Sequence, residues 1–338
     1  MNIIASEYAT VGAPSKPPIV KKASHPIETT HYILVTKMIE ALEAEVIKWV
    51  ADRYTGGMVV GDQRLGKTRG RHYLSNALPL HFPGLPVIAV PFRRELRPSE
   101  PSFFELLLEC SGHAAPGSGR TPEKRRRLLE HLSGMGERSG LGQVVLLADD
   151  AQRLWEVQYG WLMDIHNELN ERNIDLSIIL FGQKELLHQR SSFQMSDKRH
   201  IVGRFMTHTF NFHGLLDKED IQHSLNAYDV ASEYPAKSGW PFTKYYFPEA
   251  FEAGWRLSSI AEDLWSEFME ITIERAVSKK EEIPMLFFCR TVNKILTSVG
   301  PKSDSIVKLS RQQMRSFILR SGYADFKNVG EDAKSEND

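Results

Sequence analysis

The chain has 338 residues, of which 41% are hydrophobic and 25% are charged, and its formal net charge is −1. This composition is that of a soluble chain with one large domain and a smaller companion, and the charge excludes a uniformly basic nucleic-acid binder. No apolar run approaches the ~20 residues of a membrane span. The first residues lack the pattern of a signal peptide. The two cysteines, Cys110 and Cys289, are far apart and indicate no disulfide framework. We expect a cytoplasmic protein.

The N-terminal residues 1–27 contain scattered prolines and small polar residues, which predicts a flexible arm. From about residue 28 to 53 the apolar residues recur at three- and four-residue spacing, which predicts a helix. Beyond it, apolar runs alternate with helical patterns. Such alternation predicts an α/β domain with a doubly wound parallel sheet over residues 28–214.

The expected strands in chain order are 57–60, 85–92, 143–148, 176–181 and 206–212. The expected helices between them are 69–78, 103–110, 121–133 and 155–170. Pro79 should end the first of these helices.

After residue 215 the strand signals stop, and we expect a helical domain over 215–327. An aromatic-rich insertion, 229–256, interrupts it; this segment is either part of that domain's core or a partner surface. Residues 328–338 are polar and acidic, which predicts a disordered tail. His208 and His213 have no metal-ligand spacing, and we interpret them as structural.

The stretch from Gly61 to Thr68 fits the pattern G-x-x-x-x-G-K-[ST] at every required position. It stands between a predicted strand and a predicted helix, which is the context that this phosphate-binding loop requires. Glycines let successive backbone N–H groups face a polyphosphate, and the helix N-terminus adds its positive dipole end. The expected nucleotide-binding residues are Gly61, Asp62, Gln63, Arg64, Leu65, Gly66, Lys67, Thr68 and Arg69.

Within this loop, Lys67 should reach the β- and γ-phosphates, and the Thr68 hydroxyl should bind Mg²⁺. About eighty residues later, the apolar run 144–148 ends in Asp149 and Asp150. In P-loop enzymes an acid at such a strand end holds Mg²⁺ through water, and a neighbour positions the attacking water. We assign the first role to Asp149 and the second to Asp150. Two solvated acids at a turn are the alternative.

Two further segments give a specific resemblance. They are Asp149-Asp150-Ala151-Gln152-x-Leu154 and Phe181-Gly182-Gln183-x-Glu185-Leu186. Together with the glycine loop, they resemble the AAA+ ATPases that regulate DNA transposition, of the TnsC and TniB type, related to MuB and ExeA. The similarity runs from about residue 30 to 300. It implies an AAA+ P-loop fold with a five-stranded parallel sheet and a small helical lid. It also implies an ATP-driven homo-oligomer, a ring or helical filament, that encircles duplex DNA and recruits a transposase.

The resemblance also implies roles for three residues outside the loop. Gln183 corresponds to the first sensor, with an exposed loop amide as the alternative. Arg204, in Gly203-Arg204-Phe205, corresponds to an arginine finger that acts on a neighbouring subunit, and Arg190 and Arg199 are rivals for that role. Arg290 corresponds to a second sensor, although the Gly-Asn-Pro that opens that family motif is missing here. The usual second acid is Glu. Asp150 is one methylene shorter, so we expect slow Mg²⁺-dependent ATP hydrolysis.

Basic residues form two clusters that predict contacts to the DNA backbone. The candidate DNA-binding residues are Arg93, Arg94, Arg120, Lys124, Arg125, Arg126 and Arg127. Clustered cations release counterions from phosphates and give sequence-independent binding. The alternative is a solvated helix face, which charge runs usually form.

The sequence thus favours an ATP-dependent transposition regulator with ATP and Mg²⁺ as cofactors. Its expected partners are duplex DNA, a transposase and a target-selection protein. The alternatives are a nucleotide-dependent protein-interaction switch and a secretion-type motor, neither of which binds DNA.

Overall fold

The computed structural model describes residues 17–274 and 282–326. The chain divides into two compact units. The helical unit comprises residues up to Glu40, the short segment Arg64–Gly66, and residues from His213 onward; the sheet unit comprises Ala41–Gln63 and Lys67–Phe212. The expected tail 328–338 and the first sixteen residues of the expected arm lie outside the described residues.

The sheet unit contains a five-stranded parallel sheet, as predicted. Its strands are β1 (Gly56–Val60), β2 (Val87–Pro91), β3 (Gln143–Asp149), β4 (Asp175–Gly182) and β5 (His208–Asn211). They lie in the order β2-β3-β4-β1-β5, and every neighbouring pair is parallel. The central strands β1, β3 and β4 are almost completely buried. This explains their nearly continuous apolar sequences, because helices cover both faces of a parallel sheet.

The register of the strands decides which residues meet at the carboxyl edge of the sheet. Val60 pairs with Gly182, and Pro91 pairs with Asp149. The residues that follow β1, β2, β3 and β4 therefore emerge side by side. Ligands of open α/β sheets bind outside this edge.

The helices up to β5 are α1 (Pro26–Thr29), α2 (Lys37–Ala51), α3 (Lys67–His81), α4 (Glu100–Cys110), α5 (Thr121–Ser139), α6 (Glu156–Asn170), α7 (Glu185–Met195) and α8 (Arg199–Phe205). Two predictions about them were wrong. One continuous helix was expected from residue 28. The structure instead has the short helix α1, a non-helical segment His31–Thr36, and then α2 from Lys37. Pro79 does not end α3, because it lies in the last turn and displaces only one intrahelical hydrogen bond before His81.

The described helices after β5 are α9 (Lys218–Asn226), α10 (Phe242–Tyr246), α11 (Pro248–Glu252), α12 (Ala261–Glu274), α13 (Met285–Val299) and α14 (Arg311–Arg320). They pack around one apolar core that also contains Ile27 and Leu34. Residues 28–40 therefore belong with the helical unit, whereas the sequence had placed them with the sheet. None of the helices in the described ranges is long and apolar enough to cross a membrane.

The aromatic-rich segment forms part of this core. Trp240 and Phe247 are buried, and the ring of His25 lies stacked on Tyr245 at a centroid distance of 4.5 Å, with other aromatic rings at its edges. Burial lowers the pKa of His25 to about 4, so the ring is neutral at physiological pH. The segment from His25 to Leu34 is thus anchored in the helical unit, unlike the flexible arm expected up to residue 27.

Candidate nucleotide-binding site

The glycine loop leaves the carboxyl end of β1, as its sequence predicts. The Gly61 N–H donates to the Gly182 carbonyl at 3.3 Å, which ties the start of the loop to the end of β4. Gly66 has a φ of +110°, a conformation that favours glycine. The Lys67 ammonium donates to the carbonyls of Gly61 and Asp62 at 2.6 and 2.5 Å. Its charge therefore lies inside the curl of the loop, where a polyphosphate would bind.

The middle of the loop, Arg64–Gly66, belongs to the helical unit. Arg64 has a φ of +65°, and its carbonyl accepts a hydrogen bond from the Leu286 N–H at 3.2 Å. Its guanidinium lies 4.7 Å from the ring centroid of Phe326 and 5.7 Å from that of Phe287. These cation–π contacts hold the Arg64 side chain among residues that follow in the helical unit. Leu65 is buried.

Other loop residues remain at the surface of the sheet unit. Gln63, Thr68 and Arg69 are exposed. Asp62 forms an ion pair with Lys184 at 2.6 Å. Lys184 follows β4, and sequence reasoning missed it, because nothing in the local pattern indicates which strand end adjoins the loop.

The two acids lie at the end of β3, as predicted, and both are held by neighbouring groups. Asp149 ends the strand, and Asp150 follows it with a φ of +55°. One Asp150 carboxylate oxygen accepts from the Gln152 side-chain amide at 3.1 Å, and the other lies 3.3 Å from the Arg153 guanidinium. Non-glycine residues in the left-handed region are strained and cluster at functional sites.

Gln152 joins two motifs that are about thirty residues apart in the sequence. Its amide nitrogen donates to Asp150, and its amide oxygen accepts from the Gln183 N–H at 3.3 Å. A Cβ on Gly182 would lie 3.0 Å from the same oxygen, so any other residue there would force the Gln152 side chain to shift. Gln183 is therefore linked through Gln152 to the strand-end acid, and the preceding Gly182 is bonded to the start of the glycine loop. Sequence reasoning missed this role of Gln152, although the residue lies within the motif that follows β3.

Arg71 is a second residue that sequence reasoning missed. It lies on α3 one turn after Lys67, and its Nε donates to Asp149 Oδ2 at 3.1 Å. The side chains of Arg71 and Asp149 are only 7% and 13% exposed. The helical period from Lys67 could have placed Arg71 near the site.

The residues present fit a magnesium ion. Mg²⁺ prefers oxygen ligands, and the expected donors are the exposed Thr68 hydroxyl and the Asp149 carboxylate. Asp149 already accepts from the Asp150 N–H and from Arg71, each at 3.1 Å, but a carboxylate has about four lone-pair positions. In the described ranges no three His, Cys, Asp or Glu side chains could hold a metal together.

Arg204, the candidate arginine finger, lies at the opposite edge of the sheet from the glycine loop. Its carbonyl accepts from the Thr55 hydroxyl at 2.7 Å, just before β1 begins. Its guanidinium donates to Asn167 at 2.5 Å and to His166 Nδ1 at 3.0 Å. Burial, followed by the charge of Arg204, lowers the pKa of His166 and keeps its ring a neutral acceptor.

The two rivals for the finger are more exposed or differently engaged. Arg190 donates to the Thr209 hydroxyl on β5 at 3.1 Å. Arg199 lies 3.7 Å from Asp197, and its side chain is 83% exposed. Arg290, the candidate second sensor, is exposed on α13 in the helical unit, and it donates to the Ser321 carbonyl at 3.2 Å.

The basic residues of α5 do not form one exposed face, contrary to the expected DNA-binding cluster. Lys124 is 5% exposed and forms an ion pair with Glu105, so it cannot serve as an exposed phosphate contact. Its position four residues before the buried Leu128 explains this, since residues i and i+4 share a helix face.

The remaining basic residues of this cluster differ in their partners. Arg125 lies close to Asp164 at 2.8 Å and Glu168 at 3.5 Å. Arg126 lies 3.8 Å from Glu130 on the exposed face. Arg127 donates to loop carbonyls, including that of Ala115. Arg120 and Arg126 are exposed, and Arg127 is partly buried.

The other predicted cluster lies on the loop after β2, at the same edge as the glycine loop. Arg93, Arg94 and Arg97 are exposed there. The Phe92 N–H donates to the Asp149 carbonyl at 3.1 Å, which fixes the start of this loop to the end of β3.

Comparisons with known proteins bear on the fold of the chain. Residues 52–189 match the AAA domain family. The ORC2 protein of Aeropyrum pernix has a similar structure, with 11% identity, a TM-score of 0.50, and coverage of 88% of this chain and 71% of that one. Domain III of the Thermotoga maritima replication initiation protein DnaA matches with 14% identity, a TM-score of 0.43 and coverage of 85% and 94%.

Cdc6p from Pyrobaculum aerophilum matches with 14% identity, a TM-score of 0.39 and coverage of 91% and 88%. No curated protein matches the sequence. The likeness to ORC2 shows the fold. The match over residues 52–189 covers the glycine loop, the strand-end acids and Gln183. The chain therefore has the AAA+ fold, and its residues 52–189 match the AAA domain family.

Proposed function

We propose that this protein is an ATP-dependent regulator of DNA transposition. In this proposal it binds ATP and Mg²⁺ in the cytoplasm, assembles on duplex DNA as a ring or filament, and couples target-site selection to recruitment of a transposase. The observation that carries the proposal is the bridge from Asp150 through Gln152 to Gln183. It supports treating the two motifs that carry the resemblance to transposition regulators as one functional unit.

ATP is the nucleotide that the site supports. The Lys67 ammonium lies within the loop, and oxygen donors for Mg²⁺ lie at the end of β3. The ORC2 protein, which has a similar fold, forms ADPNP-ADP complexes. Asp150 would position the attacking water and Gln183 would contact the γ-phosphate. Because Asp150 is already engaged by Gln152 and Arg153, we expect slow turnover.

The position of Arg204 supports a homo-oligomer. Thr55, which holds the Arg204 backbone, and Gly61 are six residues apart along β1, which corresponds to about 20 Å. This separation is greater than an arginine side chain can reach. Arg204 could therefore contact a γ-phosphate only in a neighbouring subunit, as an arginine finger supplied in trans does.

The loop after β2 supports DNA binding at the nucleotide edge of the sheet. Three exposed arginines, Arg93, Arg94 and Arg97, follow one another within five residues. The net charge of −1 means that local clusters must supply the attraction to phosphates. Arg120 and Arg126 could add to this surface from α5. Such contacts are to the backbone and do not depend on sequence.

The test is fluorescence anisotropy of a labelled duplex with the full chain and ATP, ADP or no nucleotide, over a salt series. We expect binding that needs ATP, varies little between sequences, and weakens steeply with salt. Negative-stain images with an ATP analogue should show rings or filaments on DNA only when both ligands are present. No affinity for duplex at low salt with ATP would overturn the transposition proposal.

The second candidate is a nucleotide-dependent protein-interaction switch without DNA binding. The observation that favours it is that two of the basic residues on α5 are neutralised, since Lys124 and Arg125 pair with acidic side chains. It predicts ATP-dependent assembly that added duplex does not change.

A further inference from the structure

Arg71 places a buried positive charge on the acid that is expected to hold Mg²⁺. Its Nε lies 3.1 Å from Asp149 Oδ2, and the two side chains are 7% and 13% exposed. A second guanidinium nitrogen lies 3.1 Å from His72 Nε2. Burial, followed by the charge of Arg71, lowers the pKa of His72, so its neutral ring can accept this hydrogen bond. The guanidinium is thus fixed from two sides.

This ion pair changes the electrostatics of a metal site. A divalent cation is drawn to the summed negative charge of the phosphates and the strand-end carboxylate. Arg71 cancels one unit of that charge at Asp149, and burial keeps water from screening the interaction. Asp149 keeps free lone-pair positions, so it can still accept from a water bound to the metal. The pair therefore weakens the attraction of Mg²⁺ without blocking its ligand.

We propose that Arg71 sets the metal dependence of nucleotide binding, as a resident cation that makes the affinity for ATP depend less on Mg²⁺. Metal and nucleotide each change the affinity for the other by the same factor. Arg71 keeps that factor small. This inference rests on the proposed function in one respect, that the glycine loop binds a nucleoside triphosphate. Arg71 acts through Asp149 and is a positioning residue, not a catalytic one.

The experiment measures the dissociation constant of a fluorescent ATP analogue for the full chain, once in excess EDTA and once in excess Mg²⁺. The coupling factor is the dissociation constant in EDTA divided by the dissociation constant in Mg²⁺. Arg71→Met removes the charge but keeps an apolar side chain of similar length. We expect it to raise the ratio about tenfold or more, and to lower the Mg²⁺ concentration at half-saturation by a similar factor. Arg71→Lys retains the charge and should stay close to wild type.

A control for the loss of one paired arginine exists at the other edge of the sheet, although that pair is more exposed. Arg53 also pairs with an aspartate, Asp175, at the start of β4. Arg53→Met should leave the ratio unchanged, since it removes the same charge far from the glycine loop. Arg71→Gln is the second neutral variant, used if the Met variant does not fold, because an amide can still donate to Asp149.

The outcomes separate the two proposals. If a folded Arg71→Met or Arg71→Gln protein binds nucleotide with an unchanged or smaller ratio, Arg71 is only a strut between α3 and β3, and the inference is overturned. If the wild-type chain binds the analogue in neither buffer, the proposed function itself fails. A ratio raised equally in Arg53→Met would also overturn the inference, because a distant charge would then have the same effect.

Discussion

The carboxyl edge of the sheet and helix α5 both carry polar residues that the sequence singles out. These residues come together at the sheet edge but are dispersed around α5. At the sheet edge, side chains from distant parts of the chain meet, as Gln152 does with Asp150 and Gln183. On α5, neighbouring basic residues point in different directions, and Lys124 is buried against Glu105. A position just after a parallel strand predicts that a residue will lie near the other strand ends. Adjacency along a helix does not predict that residues will lie on one face.

The reason lies in the two periodicities. Parallel strands deliver their carboxyl ends to one edge, so any residue just after a strand is placed there. On a helix, each successive residue turns by about 100°, so five adjacent positions cover the whole circumference. A basic run on an amphipathic helix must therefore place some members on the buried face. The predictions below test whether the two regions differ in function as they differ in structure.

The largest expected effect is at the sheet edge. Lys67→Ala should abolish ATP binding, because it removes the ammonium that lies inside the loop and leaves the phosphates without their closest cation. Equilibrium binding of a fluorescent ATP analogue would measure this. Asp150→Asn is the control, since it should keep the affinity and lose hydrolysis. Wild-type affinity in the Lys67 variant would show that the loop is not the nucleotide site.

The next effect is on turnover in the assembly. Arg204→Ala should keep nucleotide binding and lower ATP hydrolysis, for which a trans-acting arginine is worth roughly 10³–10⁵ in the GTPase case. Colorimetric phosphate release would measure it. Mixing Arg204→Ala with Lys67→Ala subunits should restore part of the rate, because one contributes an intact loop and the other an intact finger. Absence of rescue in co-assembled mixtures would count against the trans role.

Much of the sheet edge could be predicted from the sequence. The glycine loop and the two acids each follow an apolar strand, and the alternation of strands and helices indicated the parallel sheet but not the order of its strands. Arg71 and Lys184 could not be found in this way. Their importance depends on which partners the fold brings near, Asp149 and Asp62, and these lie 78 and 122 positions away in the sequence.

The helical unit was harder to predict for a different reason. His25 lies in a proline-containing segment that reads as a linker, yet it is 1% exposed among aromatic rings from residues 234–246. No local pattern marks a single histidine as a core residue, because its environment comes from rings more than two hundred residues away. Lys124 is the opposite case. Its burial could have been predicted, since Leu128 and Leu132 continue its face of α5.

A smaller effect should distinguish the two faces of α5. Lys124→Met should lower the free energy of unfolding by about 1–3 kcal/mol, because it leaves Glu105 without its partner at a partly buried site. The effect stays below that of a fully buried pair, since the Glu105 side chain is 45% exposed. Arg126→Met, on the exposed face, should change the stability by less than about 0.5 kcal/mol. Urea unfolding followed by circular dichroism would measure both. Equal stabilities would contradict the buried assignment of Lys124.

The smallest expected effect per residue concerns DNA. Arg93 and Arg94 are exposed on the loop that starts beside Asp149, so we expect them to contact phosphates when ATP is bound. Each lost phosphate contact should reduce the slope of log affinity against log salt by about 0.9, while leaving sequence preference unchanged. Arg138→Ala is the control, because Arg138 is also exposed but lies at the far end of α5. Anisotropy of a labelled duplex over a salt series would measure the slopes.

If Arg93→Ala and Arg94→Ala leave the slope unchanged while Arg126→Ala reduces it, the exposed face of α5 binds the DNA and the sheet-edge loop does not. If none of these substitutions changes the slope, neither basic cluster carries the contact with DNA.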